Sequence, residues 1–423
     1  MGNSQGGRAA ELRPTWLQID LGALARNYRR VAGMVAPRRV WCVVKANAYG
    51  HGAVRCSLEL QRAGADAFAV ATVDEGVELR EAGIEGRILV LAGVEPLLAA
   101  EAPAALEAAV ANGLDVAVWR LEAARALGEA AVAAGAGPAR VHLKVDTGMG
   151  RLGVLVANGF DVAIETARAI VATDGVRLEG LFSNLGAADA PPGAAGHDHT
   201  GVQAERFARL CEALDEVGCL PAERHLSNSA AVLQHPRTWR IESCNGIRPG
   251  LSLCGVPSYE GDATLQLEPV MSWHSALAAV RRIPAGWPLG YGAARRAAND
   301  CTIGVVPVGY HDGFPRALSD RAEVLVGGRR AQVVGAISMD LTLVDITGNP
   351  AAGEGAPVVL LGDGGQPGEV PVGAQDLADW SGSIAHEVLC RVGARVPRRF
   401  VDSPQDKATR FTSADRPPPM SNS

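Results

Sequence analysis

Between about residues 40 and 250, short apolar runs alternate with amphipathic stretches of helix length. The runs that read as strands are Val40–Ala46, Ala67–Thr72, Arg87–Ala92, Asp115–Trp119, Arg140–Val145, Arg177–Asn184, Glu223–Ser227 and, least apolar, Glu242–Arg248. Helical periodicity fills the gaps over Val73–Ala82, Leu121–Ala134, Asn158–Ala172 and Val202–Val217, and a further stretch, Leu21–Val35, precedes the first run. Strands alternating with helices predict a parallel sheet, and eight such units predict a closed (β/α)8 TIM barrel, an α/β fold. A doubly wound open sheet is the alternative reading of the same pattern. After about residue 270 the rhythm changes to short β-like runs between glycine and proline turns: Ser275–Arg281, Cys301–Pro307, Ala322–Val326, Gln332–Ser338, Leu341–Asp345 and Pro357–Leu361. These predict a separate C-terminal, mainly antiparallel β domain. The expected boundaries are a disordered start at 1–14, a barrel over 15–269, a β domain over 270–401 and a polar, proline-rich disordered tail over 402–423.

Composition narrows the function classes. A chain of 423 residues with 48% hydrophobic positions supports two cores. The net charge of −6 with mixed signs offers no basic footprint for nucleic acid. No run approaches the roughly 18 apolar residues that span a bilayer, and the polar start lacks the apolar segment of a secretion signal. Eight cysteines without a C-x-x-C pair read as reduced thiols, which places the expected location in the cytoplasm.

The unusual polar residues fall where a barrel keeps its chemistry, at the C-terminal ends of the strands. Lys45 emerges from the apolar run Val40–Val44 into the small, glycine-rich turn Ala46-Asn47-Ala48-Tyr49-Gly50-His51-Gly52. Desolvation favours the neutral amine there, a nucleophile suited to Schiff-base chemistry with an aldehyde. Lys144 and Asp146 through Arg151 end the fifth run, Asn184 the sixth, His225 through Ala231 the seventh, and Arg248-Pro249-Gly250-Leu251 the eighth. A phosphate site can be assembled from Asn228 and Ser229 at a helix start, Gly250 where backbone amides approach closely, and the Tyr49 phenol. Neither G-x-x-x-x-G-K-[ST] nor a G-x-G-x-x-G after a strand is present. Gly196-His197-Asp198-His199 lacks a third ligand spacing and reads as a solvated loop, so no metal is expected.

The segment K-A-N-A-Y-G-H-G from Lys45 to Gly52 resembles the pyridoxal-phosphate (PLP) attachment motif of alanine racemases. Four further blocks are similar to that family: His142 to Gly153, His225 to Ala231, Arg248-Pro249-Gly250, and Val308 to Arg316 around Tyr310. Ser338-Met339-Asp340 matches another family stretch, and the likeness extends from about Trp16 to Phe400.

This resemblance implies a PLP-dependent isomerase that interconverts L- and D-alanine, in a D-alanine biosynthetic role. Lys45 would carry the cofactor and act as one base, and Tyr310 as the other. Tyr49, Arg151, Asn184, His225, Asn228, Ser229, Arg248, Gly250, Leu251 and His386 would surround the cofactor. Arg151, Met339 and Asp340 would face the amino-acid substrate. Lys144 occupies a position that is often carbamylated and paired with the arginine at 151. The family delivers its catalytic tyrosine from a second subunit, which implies a homodimer with shared sites. Three positions depart from the family pattern: Asn184 stands where a histidine is usual, His386 where a tyrosine is usual, and Ala336 where an arginine is usual. Those changes keep alternatives open, namely a racemase for serine or another larger amino acid, a decarboxylase or lyase of the same fold, or a non-catalytic PLP-binding protein.

Overall fold

The computed structural model describes residues 13–94, 103–190, 198–256, 265–293, 295–364 and 370–402. The chain divides into two compact units, one formed by Ala23–Glu268 and the other by Met1–Gly22 together with Pro269–Ser423. Chain order begins with β1 (Trp16–Asp20) and α1 (Leu21–Val35).

The first unit is the barrel. Its strands are β2 (Arg39–Val43), β3 (Ala67–Val70), β4 (Arg87–Val90), β5 (Asp115–Val118), β6 (Ala139–Asp146), β8 (Val176–Phe182), β9 (Glu223–Asn228) and β10 (Gly246–Arg248), with a two-residue β7 (Val154–Leu155) appended to β6. They pair in parallel in the order β5-β4-β3-β2-β10-β9-β8-β6, and β6 pairs back onto β5, so the sheet closes. An open doubly wound sheet is thereby excluded. All four residues of β3 and of β5 are buried, as a strand covered on both faces requires. Helices α2 (Lys45–Tyr49), α3 (Ala53–Arg62), α4 (Val73–Glu81), α5 (Pro103–Ala111), α6 (Leu121–Ala133), α7 (Asp161–Val171), α8 (His199–Glu216), α9 (Ser229–Gln234) and α10 (Arg237–Arg240) complete the βα rhythm. Their starts follow local chemistry: the Thr72, Asp198 and Asn228 side chains each accept a backbone N–H from the first turn of α4, α8 and α9.

The second unit contains a six-stranded sheet and a three-stranded sheet. It uses β11 (Met271–Ala276), β12 (Ala279–Ile283), β13 (Pro288–Leu289), β14 (Arg295–Arg296), β15 (Cys301–Val306), β16 (Glu323–Val326), β17 (Arg329–Gln332), β18 (Thr342–Asp345), β19 (Pro357–Leu361) and β20 (Arg398–Val401), with α11 (Ala374–Ser381) and α12 (Ala385–Cys390). Sequence reading puts residue 15 at the start of the barrel, but β1 lies in this sheet, antiparallel to β11 and parallel to β20. The run expected at Ser275–Arg281 is divided: β11 pairs with β19, and β12 pairs with β15 in the other sheet. The strand expected at Gln332–Ser338 ends at Gln332, because the hairpin turns earlier, at Gly327-Gly328. The disorder expected at 1–14 and 402–423 falls outside the described residues except at Arg13, Pro14 and Asp402, and Arg13 donates to Asp312 at 2.6 Å.

Candidate active site

Lys45 was expected to end a strand running to Ala46; β2 stops at Val43, and Lys45 opens a turn whose hand is reversed. Ala46, Asn47, Ala48 and Tyr49 all have φ between 51° and 55°, a left-handed turn built without glycine. Each such residue costs roughly 1–2 kcal/mol, so the conformation must be imposed by its surroundings. The Glu75 carboxylate of α4 accepts Ala46 N–H and Ala71 N–H at 2.7 Å each, and Asn47 Oδ1 accepts Ala53 N–H at 2.7 Å. Gly50 and Gly52, both at positive φ, return the chain to α3.

The reversed turn brings Tyr49 against the end of β10. Val43 N–H donates to Pro249 O at 2.8 Å, and a Cβ built on Gly250 would fall on the Tyr49 hydroxyl. Beside them, Ser229 Oγ accepts the N–H of Gly250 at 2.8 Å and of Ser252 at 3.2 Å, with Ser252 Oγ also at 3.2 Å. Two backbone donors, two hydroxyls and a phenol thus converge on one small volume, and Leu251 is buried between the two backbone donors. The Asn228 side chain caps Ala231 N–H at 3.0 Å and shapes the turn that carries Ser229. This donor set fits a phosphate group.

Arg248 is buried at the end of β10. Its Nη1 donates to His225 Nδ1 at 2.8 Å and His225 O at 2.7 Å; its Nη2 donates to Ser183 O at 2.6 Å and Leu226 O at 3.2 Å. Four of the five guanidinium N–H donors are therefore committed to the barrel, and Nε–H remains for a ligand. Burial pulls the guanidinium down to about 9, which still leaves a cation at neutral pH. His225 does not line the mouth: it is fully buried behind Arg248, stacked on Phe182 at 5.1 Å. Burial, then the Arg248 charge, push its imidazole well below the usual histidine range.

Two loops complete the mouth. Asp146 accepts the N–H of Gly148, Met149 and Arg151 at 2.7–2.9 Å, curling the loop that presents an exposed Arg151. Burial opposes the Asp146 charge, but these backbone donors hold its carboxyl below the ordinary range. Gln203 of α8 ties that loop to the next one, bonding Thr147 Oγ1 at 3.2 Å, Asn184 O at 2.9 Å and Gly186 N–H at 2.8 Å. Asn184 is half-buried there, two residues beyond the end of β8. The unmodified Lys144 amine is buried, donating to Leu91 O at 3.4 Å over the rings of Trp119 and Phe182, instead of pairing with Arg151. Two cations repel, so the expected pairing requires the carbamate.

In the second unit, Tyr310 begins a single 3₁₀ turn, Tyr310–Asp312, and is 43% exposed. Its N–H donates to Ser338 O at 3.0 Å and that of His311 to Met339 O at 3.1 Å, so the tyrosine and Met339-Asp340 segments are bound together. Gly309 permits this approach, since a Cβ there would fall on the Ser338 and Met339 carbonyl oxygens. Asp312 is buried and accepts from Gly309 N–H, Arg13 and Arg395, while Arg395 also reaches Asp340 at 2.7 Å. Burial opposes its ionisation, but the bonds from Arg395 and Arg13 outweigh it and lower its pKa. His386, on α12, is exposed. Ala336 lies beside Gly290 in an isolated bridge. Glu75, Gln203 and Arg395 escaped sequence reasoning, and Asp146 and Asp312 stood out there only as members of longer segments, because each acts through contacts that residue type and spacing do not reveal. Of the Gly196–His199 loop, Gly196 and His197 lie outside the described residues, and His199 Nε2 is 2.7 Å from Gly148 O.

Residues 19–258 match the family described as "Alanine racemase, N-terminal domain" and residues 270–400 match "Alanine racemase, C-terminal domain". A protein named alanine racemase from Symbiobacterium thermophilum is 39% identical over 92% of this chain and 97% of its own length. One from Geobacter sulfurreducens is 37% identical over 92% and 98%. Among solved structures, the alanine racemase of the D-cycloserine producer Streptomyces lavendulae is similar with a TM-score of 0.82 at 34% identity, covering 93% of this chain and 98% of that one.

Proposed function

Because the chain belongs to the alanine racemase family, we propose that it interconverts L- and D-alanine with PLP as cofactor, using Lys45 and Tyr310 as two bases. The observation that carries this reading is the reversed turn at the barrel mouth, which joins Lys45 to the cradle of Tyr49, Ser229, Gly250 and Ser252, next to the single spare donor of Arg248. The cradle would hold the cofactor phosphate, Lys45 would hold its aldehyde carbon, and Arg248 Nε–H would face its ring nitrogen. When bound, PLP withdraws electrons from the substrate's α-carbon and acidifies the hydrogen there.

Racemisation removes that proton from one face and returns one to the other, so one base must stand on each face. Lys45 serves one face and Tyr310 the other. Arg248 keeps its proton, so it would donate to the ring nitrogen without protonating it, which would moderate the electron sink and disfavour transamination. Tyr310 is solvent-exposed in its own chain, beside Met339 and Leu341, which are also exposed. A base that works in a dry site needs a cover, and a second copy of the chain supplies it, giving a homodimer with shared sites. No helix among the described residues is long and apolar enough to cross a membrane, and all eight cysteines are free thiols, in keeping with a reducing cytoplasm.

The test is α-hydrogen exchange in D2O with single enantiomers of alanine, serine and larger amino acids, read by mass spectrometry and chiral chromatography. Inversion of alanine with deuterium at the α-carbon, plus a borohydride-fixed cofactor adduct on Lys45, is expected. An adduct on another lysine overturns the site assignment, and turnover confined to serine or a larger amino acid overturns alanine as the substrate.

A further inference from the structure

Behind Arg248 the barrel interior contains a chain of polar groups that the proposed chemistry does not use. His225 Nε2 lies 3.0 Å from His142 Nδ1, and His142 Nε2 lies 3.3 Å from Asp115 Oδ2. All three side chains are fully buried. Asp115 accepts in turn from Arg87, whose Nε is at 2.9 Å, and from Arg140 Nε at 2.5 Å. The barrel makes room for the two rings where strands carry no side chain: a Cβ on Gly180 would fall on the His142 ring, and one on Gly246 would press on His225 Cβ at 3.3 Å. Trp41 seals the pair, edge-on to His142 at 5.3 Å and tilted over His225 at 5.5 Å.

The hydrogen-bond directions along this chain are fixed by its ends. A guanidinium only donates, so His225 Nδ1 must accept from Arg248 and its single proton sits on Nε2. That N–H donates to His142 Nδ1, which forces the His142 proton onto Nε2, where the Asp115 carboxylate accepts it. Arg87 Nη2 also lies 3.4 Å from His142 Nε2, but a protonated Nε2 cannot accept from it, so that approach is a repulsion the carboxylate must offset.

We propose that His142 and Asp115 are positioning residues for the reaction, holding Arg248 through a one-way relay Arg248→His225→His142→Asp115 that spans the barrel. With the anion in place, His225 presents a lone pair to Arg248; with the relay reversed, it would present an N–H, and the guanidinium would be pushed from its seat. This role rests on the racemase reading, whereas the tautomers stand apart from it. The Asp115 carboxyl is itself suited to the end of the relay: burial opposes its charge, but the bond from His142 and the charges of Arg87 and Arg140 hold it below the ordinary carboxylate range.

The test is long-range proton–nitrogen NMR on full-length, ¹⁵N-histidine-labelled protein without cofactor, with His142→Gln and His225→Gln used for assignment. Both rings should be neutral Nε2–H tautomers at neutral pH; an Nδ1–H tautomer or an imidazolium at either ring overturns the relay. In Asp115→Asn, whose amide both donates and accepts, the His142 tautomer should become mixed. In the loaded enzyme kcat should fall about 10- to 100-fold, as expected for a displaced positioning group, with KM for alanine nearly unchanged. If loss of the anion prevents folding, Asp115→Asn/Arg140→Gln keeps the local charge balanced and carries the same expectations. Unchanged tautomers and kcat in whichever of these variants folds refute the proposal. Correct tautomers in a chain that racemises nothing refute the function and leave the relay standing.

Discussion

Gly250→Ala is the sharpest probe of the cofactor cradle. The added methyl would fall on the Tyr49 hydroxyl and lie 2.8 Å from two carbons of its ring, well inside van der Waals contact. Tyr49 cannot retreat freely, because its backbone belongs to the left-handed turn that Glu75 and Asn47 fasten. Overpacking of this kind costs about 1–3 kcal/mol. Where the strain is relieved by displacing the ring from the cradle, the same energy appears as a cofactor affinity lower by about 5- to 150-fold. The assay is an absorbance titration of the cofactor-free protein with PLP, alongside a urea melt of the same sample. The double variant Gly250→Ala/Tyr49→Ala removes the ring that is struck, so its stability loss should be smaller than the sum of the two single losses. Wild-type affinity and stability in Gly250→Ala would refute the cradle, and strict additivity in the cycle would show that the clash is not with Tyr49.

Tyr310→Phe should lose net racemisation in both directions yet keep α-deuterium exchange from the one alanine enantiomer whose hydrogen faces Lys45, while Lys45→Ala abolishes both; equal exchange from both enantiomers in Tyr310→Phe would contradict the two-base assignment. Mixing inactive Lys45→Ala with inactive Tyr310→Phe should regenerate partial activity in heterodimers, and an active monomer in sedimentation would sink the shared-site reading. Gln203→Leu strands the part-buried Asn184 O and Gly186 N–H, while Thr147 Oγ1 keeps Ser183 Oγ at 2.9 Å; an unpaired buried polar group costs about 1–3 kcal/mol, so chemical denaturation should show a loss at the low end of that range. Asp312 has a depressed pKa in the folded chain, so the stability it contributes is fully present above its unfolded pKa and is lost as pH falls below it. Asp312→Asn should therefore flatten the acid limb of a Tm-against-pH curve, and an unchanged limb would remove Asp312 as its source.

The barrel was legible because its strands are short apolar runs bounded by turn residues, a signal that each βα unit repeats. Even the weakly apolar eighth run contains a strand at Gly246–Arg248, which forms because the two neighbouring strands leave a gap to be closed. The reversed turn at Ala46–Tyr49 was not legible, since alanine and tyrosine give no sign of positive φ; the cause lies in Glu75, 29 residues from Ala46. Sheet membership of β1 was equally hidden, because a five-residue strand carries no address for its partner. One error was avoidable: Gly327-Gly328 is a two-residue hairpin turn with both φ positive, and reading it as such would have located β17. The polar barrel interior was only half visible, for His142 and His225 stand out in the chain, but their opposition to Gly180 and Gly246 depends on strand register.

Because β1 pairs with β20, about 380 residues apart, the β unit is interrupted by the entire barrel and cannot be completed until the chain has been made as far as β20. The barrel strands emerge from the ribosome as one continuous stretch, whereas Trp16–Asp20 must wait for β11 until the barrel has been made, and its other edge stays open until β20 follows. Long-range closure of this kind is slow and exposes sticky surface in the interim. Premature termination before Arg398 would thus strand an N-terminal segment, and truncated products of this chain are candidates for chaperone capture and degradation.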